Sequence, residues 1–527
     1  MRRLQPRPVP EVFVNRTLAL SLALLALAAC TSEAQPAAKP ATPLAKVGEL
    51  VPKTTPLVES PDPRFVADRQ GRVVILRGAN FVGSKSGPDY IGKIDEDRIA
   101  RMRTYGFNSV RQLILWEGLE PQMGVYDEKY LDAIGVRLDW YAKHGIYVVL
   151  DMHQDIYGPA VGGDGAPPWA TITDGKVFKP IEGGAWYLSA LNAAVQAAYS
   201  NFWDPAKGHP ELQQHYIATW QHVIQRFHSH PAVIGYDIMN EPVFANGDIA
   251  ATIAFKDDAL VSGDWRNARL IDFTQRVVDA IRAVDPDGYI FYEPTSLLNS
   301  NLGADIGGPF PGDVLGITDP RKGPPRLGYA PHLYDMTVEQ GGGWTLDNTY
   351  VGDWEKLRAA DRVKQGGALW LGEFGGANDQ TNMADFVNQV LMMADRQMMG
   401  YALWAYDGGS WSPIGGDGKD TLWATWLTRP YPRAVAGVLE SFSYDAKTRV
   451  FRMQWTPRKE ALGPTEITLP VTRVYPDGYV ALVGGPAGAA AAVKQEFVAD
   501  QQVLSLTGAV AGQSLTLCIA PTGTGCK

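Results

Sequence analysis

Cysteine is nearly absent from this chain, with three in 527 residues: Cys30, Cys518 and Cys526. With no nearby Cys or His to complete a four-ligand set around the last two, a zinc centre is not expected. In an oxidising compartment they could close a short C-terminal loop. A basic excess is also missing. Lys and Arg number 48 against 57 Asp and Glu, for a net charge of −9. That balance excludes a nucleic-acid surface built on bulk basicity. Long apolar runs are lacking too. LALSLALLALAA at 18–29 holds about a dozen residues, too few to cross a hydrocarbon layer of roughly 30 Å. What is present is ordinary globular material, 45% hydrophobic and 20% charged, which excludes disorder, collagen and coiled coil for the bulk of the chain. Aromatics reach 10%, including 15 Trp and 22 Tyr. Such rings serve as sugar or lipid platforms or simply fill a large core, and composition does not choose between these. The length suggests three or four domains at about 150 residues each, yet one α/β barrel can absorb about 250 to over 400 residues.

Arg2, Arg3, Arg7 and Arg16 precede the apolar run, and small residues follow it. A basic start, an apolar middle and small residues before a cleavage point describe a secretory signal over 1–30. Leu27-Ala28-Ala29-Cys30 resembles a bacterial lipobox, which implies that Cys30 is lipidated and becomes the mature N-terminus. The alternative is an ordinary signal peptide with an incidental cysteine. Thr31, rather than Asp, in the next position suits sorting to an outer membrane. The expected location is extracytoplasmic, with membrane contact through the N-terminal lipid. Residues 31–60, rich in Ala, Pro, Thr and Lys, bury too little to fold and read as a flexible tether.

From residue 65 short β-branched runs alternate with helical patterns, the sign of repeated βα units. FVADRQGRVVILRGAN (65–80) reads as a hairpin leading into a first barrel strand, with Arg69-Gln70-Gly71 as its turn. Seven further strands are predicted at 109–115, 146–153, 233–242, 289–295, 327–334, 368–376 and 400–409. Helical segments at 94–106 and 128–145 precede the second and third. The latter places Leu131, Ile134, Leu138 and Tyr141 on one face. Eight such units point to the α/β class and a (β/α)8 TIM barrel over 61–440, whose active site lies at the C-terminal ends of the strands. Polar residues gather at those ends: Asn80, Arg111, His153, Asn240, Glu241, His332, Glu373 and Trp404. Unpaired charge buried there costs several kcal/mol, so one shared site explains them better than scattered ion pairs. From 441 to 527 short strand-like runs separated by Gly and Pro suggest a small C-terminal β-sandwich. It is expected to brace the barrel, with Phe451 and Trp455 as core or as platform. The stretch 155–208, carrying Trp169, Trp186, Tyr187 and Trp203, is long for a βα connection and reads as a pocket-shaping insertion or a structural arm.

Asn240-Glu241-Pro242 ends the fourth predicted strand, and Leu371-Gly372-Glu373-Phe374-Gly375 ends the seventh. Two carboxylates facing each other across a barrel are what glycosidic bond cleavage requires, one to protonate the leaving oxygen and one to attack or assist at the anomeric carbon. On these motifs residues 65–440 resemble the retaining glycoside hydrolases of family 5. The resemblance implies Glu241 as acid/base and Glu373 as nucleophile, with the two carboxyl groups about 5–5.5 Å apart. It implies further that Arg111 hydrogen-bonds the nucleophile and keeps it ionised, and that Asn240 binds the sugar 2-hydroxyl. His332 and Tyr334, in YAPHLY, would flank the two glutamates, and Trp404 would lie under the sugar at the cleavage site. DMHQD (151–155) resembles the endoglycoceramidase subgroup. That implies that His153, Asp155 and Lys85, after GANFVGSK, bind hydroxyls of the first sugar. Period-two alternation on a strand lets His153 and Asp155 reach inward together. An H-x-D metal pair is the alternative, but the sequence offers it no further ligands. No metal or cofactor is expected. Glu117, Asp237 and Glu293 are also acidic near strand ends, with structural or supporting roles expected.

The function expected is hydrolysis of the bond joining a glycan to ceramide, the partner being a glycolipid or β-glycan substrate and not nucleic acid. Two alternatives are the same chemistry on a β-glucan, or exo-acting β-glucosidase (glucosylceramidase) action on simple glycolipids. A third, from another class, is a non-catalytic glycan-binding lipoprotein on a barrel scaffold.

Overall fold

The computed structural model describes residues 44–82, 90–92, 94–180, 186–243, 245, 266–296, 314 and 316–526. Cys30 and Lys85 lie outside them, as do the side chains of Trp186 and Tyr187.

Eight parallel strands close into a barrel: β1 (Arg77–Phe81), β2 (Ser109–Leu115), β3 (Tyr147–His153), β4 (Val233–Asp237), β5 (Tyr289–Tyr292), β6 (Leu327–Tyr329), β7 (Ala368–Phe374) and β8 (Gly400–Leu403). Each is buried along its whole length. Parallel strands covered on both faces read as continuous apolar runs, which is why all eight show in the sequence. Register aligns Asn80 with Arg111 across β1 and β2, and Asp151 with Asp237 across β3 and β4. The helices follow from local signals. Asp95 caps the helix Glu96–Thr104 by accepting from Arg98 N. Asp127 caps Glu128–Lys143 by accepting from Lys129 N and Tyr130 N, and that helix buries Leu131, Ile134, Leu138 and Tyr141 against the barrel.

The C-terminal strands form two antiparallel sheets. One, of four strands, contains Gly437–Asp445, Val450–Pro457, Leu515–Pro521 and Tyr479–Gly484. The other, of six, contains Tyr431–Val435, Thr465–Thr468, Val503–Thr507 and Lys494–Val498, and it also takes in the hairpin Val66–Ala67 and Val73–Val74. The turn at 68–72 holds Gly71 at φ +73°, where a Cβ would meet Val58 Cγ1 at 2.7 Å. The hairpin therefore serves the C-terminal module before β1 begins. The module itself starts ten residues ahead of the expected 441, because Tyr431 already pairs with Thr468. Phe451 and Trp455 are core, both fully buried. Cys518 and Cys526 are joined as a disulfide. The expected tether also ends sooner than residue 60. Leu50 and Val51 are buried, and Gly48 N donates to Glu466 Oε2 at 3.2 Å, since two adjacent apolar residues anchor a segment whose Ala and Pro content argued otherwise.

The described residues of the stretch 155–208 pack as structure. They include the helix Ala193–Trp203, capped by Asn192, whose Tyr199, Phe202 and Trp203 are buried. Phe202 and Trp203 meet Phe273 edge-on, and Trp169 meets Trp116 edge-on.

Candidate active site

Arg111, in the middle of β2, is wholly buried and organises the mouth of the barrel. Its guanidinium donates to Glu373 Oε1 and Glu293 Oε1 at 2.8 Å, to Asp237 Oδ2 at 2.9 Å, to Asn240 Oδ1 at 3.0 Å and to Asn80 Oδ1 at 3.1 Å. Asp151 Oδ1 lies 2.9 Å from the same group. Burial opposes its charge, but four carboxylates hold the guanidinium well above its ordinary range.

Glu373 closes β7. Gly372 before it admits the His332 ring, since a Cβ there would meet His332 Nε2 at 2.9 Å. Tyr334 Oη donates to Glu373 Oε2 at 2.8 Å. Burial pushes the Glu373 carboxyl up, while His332 and Arg111 pull it back. Glu241 lies past the end of β4 with φ +39°, in the left-handed region that a side chain other than glycine's adopts at a cost. Three groups hold it there. Its N–H donates to Glu293 Oε2 at 3.0 Å, His332 Nδ1 lies 2.8 Å from its Oε1, and Gln154 Nε2 donates to its carbonyl at 3.0 Å. The two glutamates differ in access: the side chain of Glu241 is 19% exposed and that of Glu373 5%. One oxygen of each, together with a His332 nitrogen, lies within 4.8 Å of the others.

His332 faces carboxylates on both sides, Glu241 through Nδ1 and Glu293 Oε1 through Nε2 at 3.2 Å. Burial would lower its pKa, but Glu293 and Glu373 raise it well above the ordinary histidine value. Standing between two carboxylates, the ring is favoured in its protonated form.

A second cluster lies beside the first. His153 Nδ1 is 2.8 Å from Asp151 Oδ2, and its ring stacks on Trp404 with centroids 5.4 Å apart. The Trp404–Ala405 peptide is cis. Asp155 Oδ2 lies 3.7 Å from His153 Nε2. Strand alternation was expected to place Asp155, but β3 ends at His153, and Asp155 is held instead by a bridge to Asp164. The bridge brings Asp164 to the pair, with one ligand atom of each of the three within 4.8 Å. Nothing in the sequence marks this third carboxylate, because its approach depends on the eight residues between Asp155 and Asp164 turning back on themselves.

Among the acidic residues near strand ends, Glu293 supports Arg111, His332 and the Glu241 backbone together. Asp237 binds Arg111, and burial raises its carboxyl well above the usual range. Glu117 holds the Asp164–Gly165 turn, its N–H donating to Gly165 O at 2.7 Å. Burial pushes its carboxyl up to about 7. Nothing in the sequence points to Gln154. Its five hydrogen bonds reach across the loops and leave no periodic signal.

Residues 67–410 match the family described as Cellulase (glycosyl hydrolase family 5), and residues 429–517 match the glycoside hydrolase family 5 C-terminal domain. Endoglycoceramidase I of Rhodococcus hoagii (strain 103S) is 27% identical over 441 residues, covering 80% of this chain and 82% of that protein. An endoglycoceramidase of Hydra vulgaris is 26% identical over 465 residues, with the same coverage of each. The structure of endo-glycoceramidase II from Rhodococcus sp. in a ganglioside GM3 complex superposes with a TM-score of 0.76 at 32% identity, covering 88% of this chain and all of that one. This chain belongs to glycoside hydrolase family 5.

Proposed function

We propose that this glycoside hydrolase cleaves the bond between glycan and ceramide in glycosphingolipids with retention of configuration, using Glu373 as nucleophile and Glu241 as acid/base. The observation that carries the reading is the pair of glutamates standing beside the His153–Asp155 cluster under Trp404. Glu373 Oε2 attacks the anomeric carbon as the bond to the aglycone oxygen breaks, and Glu241 delivers a proton to that oxygen. Water then adds to the anomeric carbon as the glycosyl ester breaks, with Glu241 accepting the water's proton. Oxygens of the two carboxylates within 4.8 Å suit this double displacement, since an inverting pair needs about 6.5–9.5 Å between carboxyl groups to admit water. Asn240, aimed by Arg111, is set to bind the 2-hydroxyl. His153 and Asp155 are set to bind hydroxyls of the same sugar, a role that the family resemblance extends to Lys85. The names of the relatives favour a ceramide aglycone.

The test is product analysis on glucosylceramide, lactosylceramide and a ganglioside in detergent. Ceramide together with intact oligosaccharide from the two longer substrates is expected. Release from glucosylceramide alone would point to exo action, and release from none of them, with turnover of soluble β-glucans, would overturn the ceramide reading. The proposal includes an extracytoplasmic location with Cys30 as lipid anchor. Cys30→Ser is expected to move the protein from the membrane fraction to the soluble fraction, and an unchanged distribution would refute the anchor.

A further inference from the structure

Gln154 is the residue that follows β3, and it is buried with every hydrogen-bonding group of its side chain in use. Its amide nitrogen donates to Asn240 O at 2.8 Å and to Glu241 O at 3.0 Å. Its amide oxygen accepts from Tyr157 N at 2.9 Å and from Tyr199 Oη at 2.6 Å. Its own carbonyl accepts from Asn240 Nδ2 at 3.0 Å. Tyr199 stands on the helix Ala193–Trp203 inside the long insertion, and a small apolar cavity lined by Tyr157, Tyr199, Phe202 and Met239 lies against the same glutamine.

We propose that Gln154 is a positioning residue for Glu241, clamping the Asn240 and Glu241 carbonyls and tying them through Tyr199 to the insertion. Glu241 needs such a clamp. A left-handed non-glycine residue costs of the order of 1–3 kcal/mol and persists only where its surroundings fix it. Pro242 beside it narrows the alternatives further. Glu293 restrains the N–H of Glu241 and His332 its carboxylate, while Gln154 restrains its carbonyl. The peptide that aims the acid is thus held from the insertion side, and leaving-group protonation depends on how the helix Ala193–Trp203 is seated. The insertion therefore acts on the chemistry and not merely on the shape of the pocket.

The inference rests on Glu241 being the acid/base, and the experiment separates the two ideas. Turnover is measured on aryl β-glycosides carrying a good leaving group (2,4-dinitrophenolate), which needs no protonation, and a poor one (an unactivated phenolate), which does. Glu241→Gln serves as reference and is expected to lose kcat/KM on the poor leaving group only, its kcat falling on both because hydrolysis of the glycosyl ester needs the same residue as base. Gln154→Ala is expected to lose about 10–100-fold in kcat/KM on the poor leaving group and less than about 3-fold on the good one, with the alkaline limb of its pH profile displaced. Gln154→Glu keeps the shape and the acceptor oxygen but sets a carboxylate oxygen against the two carbonyls in place of the donating amide, and is expected to lose at least as much as Gln154→Ala with the same selectivity. Tyr199→Phe removes a single hydroxyl, so it folds even if Gln154→Ala does not, and is expected to show the same selectivity at about 3–10-fold. Equal losses on both leaving groups, or none on either, in the folded variants would overturn the inference. A Glu241→Gln enzyme without selectivity would instead overturn the acid/base assignment.

Discussion

Arg77 and Arg111 stand on neighbouring strands of one barrel, both sealed from water, in opposite company. Arg77, at the start of β1, pairs with one carboxylate, Asp395, and lies over three rings: Tyr431, Tyr401 and Phe442, at 4.9, 5.1 and 5.2 Å. Asp395 also accepts the Tyr444 N–H at 3.0 Å, so this pair welds the barrel to the C-terminal module. A second joint, Arg72 with Asp68 and Glu466 at 2.8 and 2.7 Å, does the same through the hairpin. Charges in these joints balance, since Arg433 Nε also lies 3.5 Å from Glu466 Oε2, as ion pairs removed from water require. At the barrel mouth Arg111 and His332 face Asp151, Asp237, Glu241, Glu293 and Glu373. Even setting aside Glu241, which carries the acid's proton, and Asp237, whose carboxyl burial raises, three carboxylates meet two cations. That excess is costly, and it is matched to an oxocarbenium-like transition state that brings the missing positive charge. Imbalance, more than burial, separates the site from the brace.

The comparison can be broken in order of effect. Glu373→Gln is expected to cut turnover by at least about 10⁴-fold while leaving the fold intact, because it removes one charge from a surplus. Near-normal turnover would contradict the role of the cluster. Arg77→Met is expected to cost about 3–5 kcal/mol by orphaning Asp395, and Arg77→Met with Asp395→Leu should recover most of that, both variants keeping wild-type kcat where folded. Arg111→Met should lose stability comparably and more than about 10³-fold in kcat, and removing any single carboxylate should not restore it. Urea unfolding and kinetics on the same preparations decide between these outcomes.

The smallest effect concerns Glu117. A carboxyl raised from 4.5 to about 7 contributes stability that is complete below its unfolded value and lost as pH rises through 7. Glu117→Gln is therefore expected to be more stable than wild type by about 1–3 kcal/mol at pH 8, with the advantage shrinking to below about 1 kcal/mol at pH 5. An advantage that does not vary with pH would show that the carboxyl is ionised throughout.

Much of this was legible in the sequence, for a physical reason. Strands buried on both faces must be apolar along their length, so a polar residue within a strand or just past its end stands out, and Arg111, His153, Asn240, Glu241, His332 and Glu373 are visible that way. What stayed hidden depends on contacts between distant segments. The hairpin at 66–74 looks local yet completes a sheet with Tyr431–Val435. Gln154 falls at an outward position by alternation, but the strand ends one residue earlier and the side chain turns across to Asn240 and Glu241. That same alternation assigns Asp155 to the inner face, yet the residue reaches His153 by another route, the bridge to Asp164.

The most direct test of the account is covalent trapping. A 2-deoxy-2-fluoro β-glycoside with a dinitrophenyl leaving group should inactivate the enzyme with one sugar bound per chain, and peptide mapping should place the added mass on Glu373. A label on Glu293 or another carboxylate of the cluster, or slow turnover with no label at all, would contradict it.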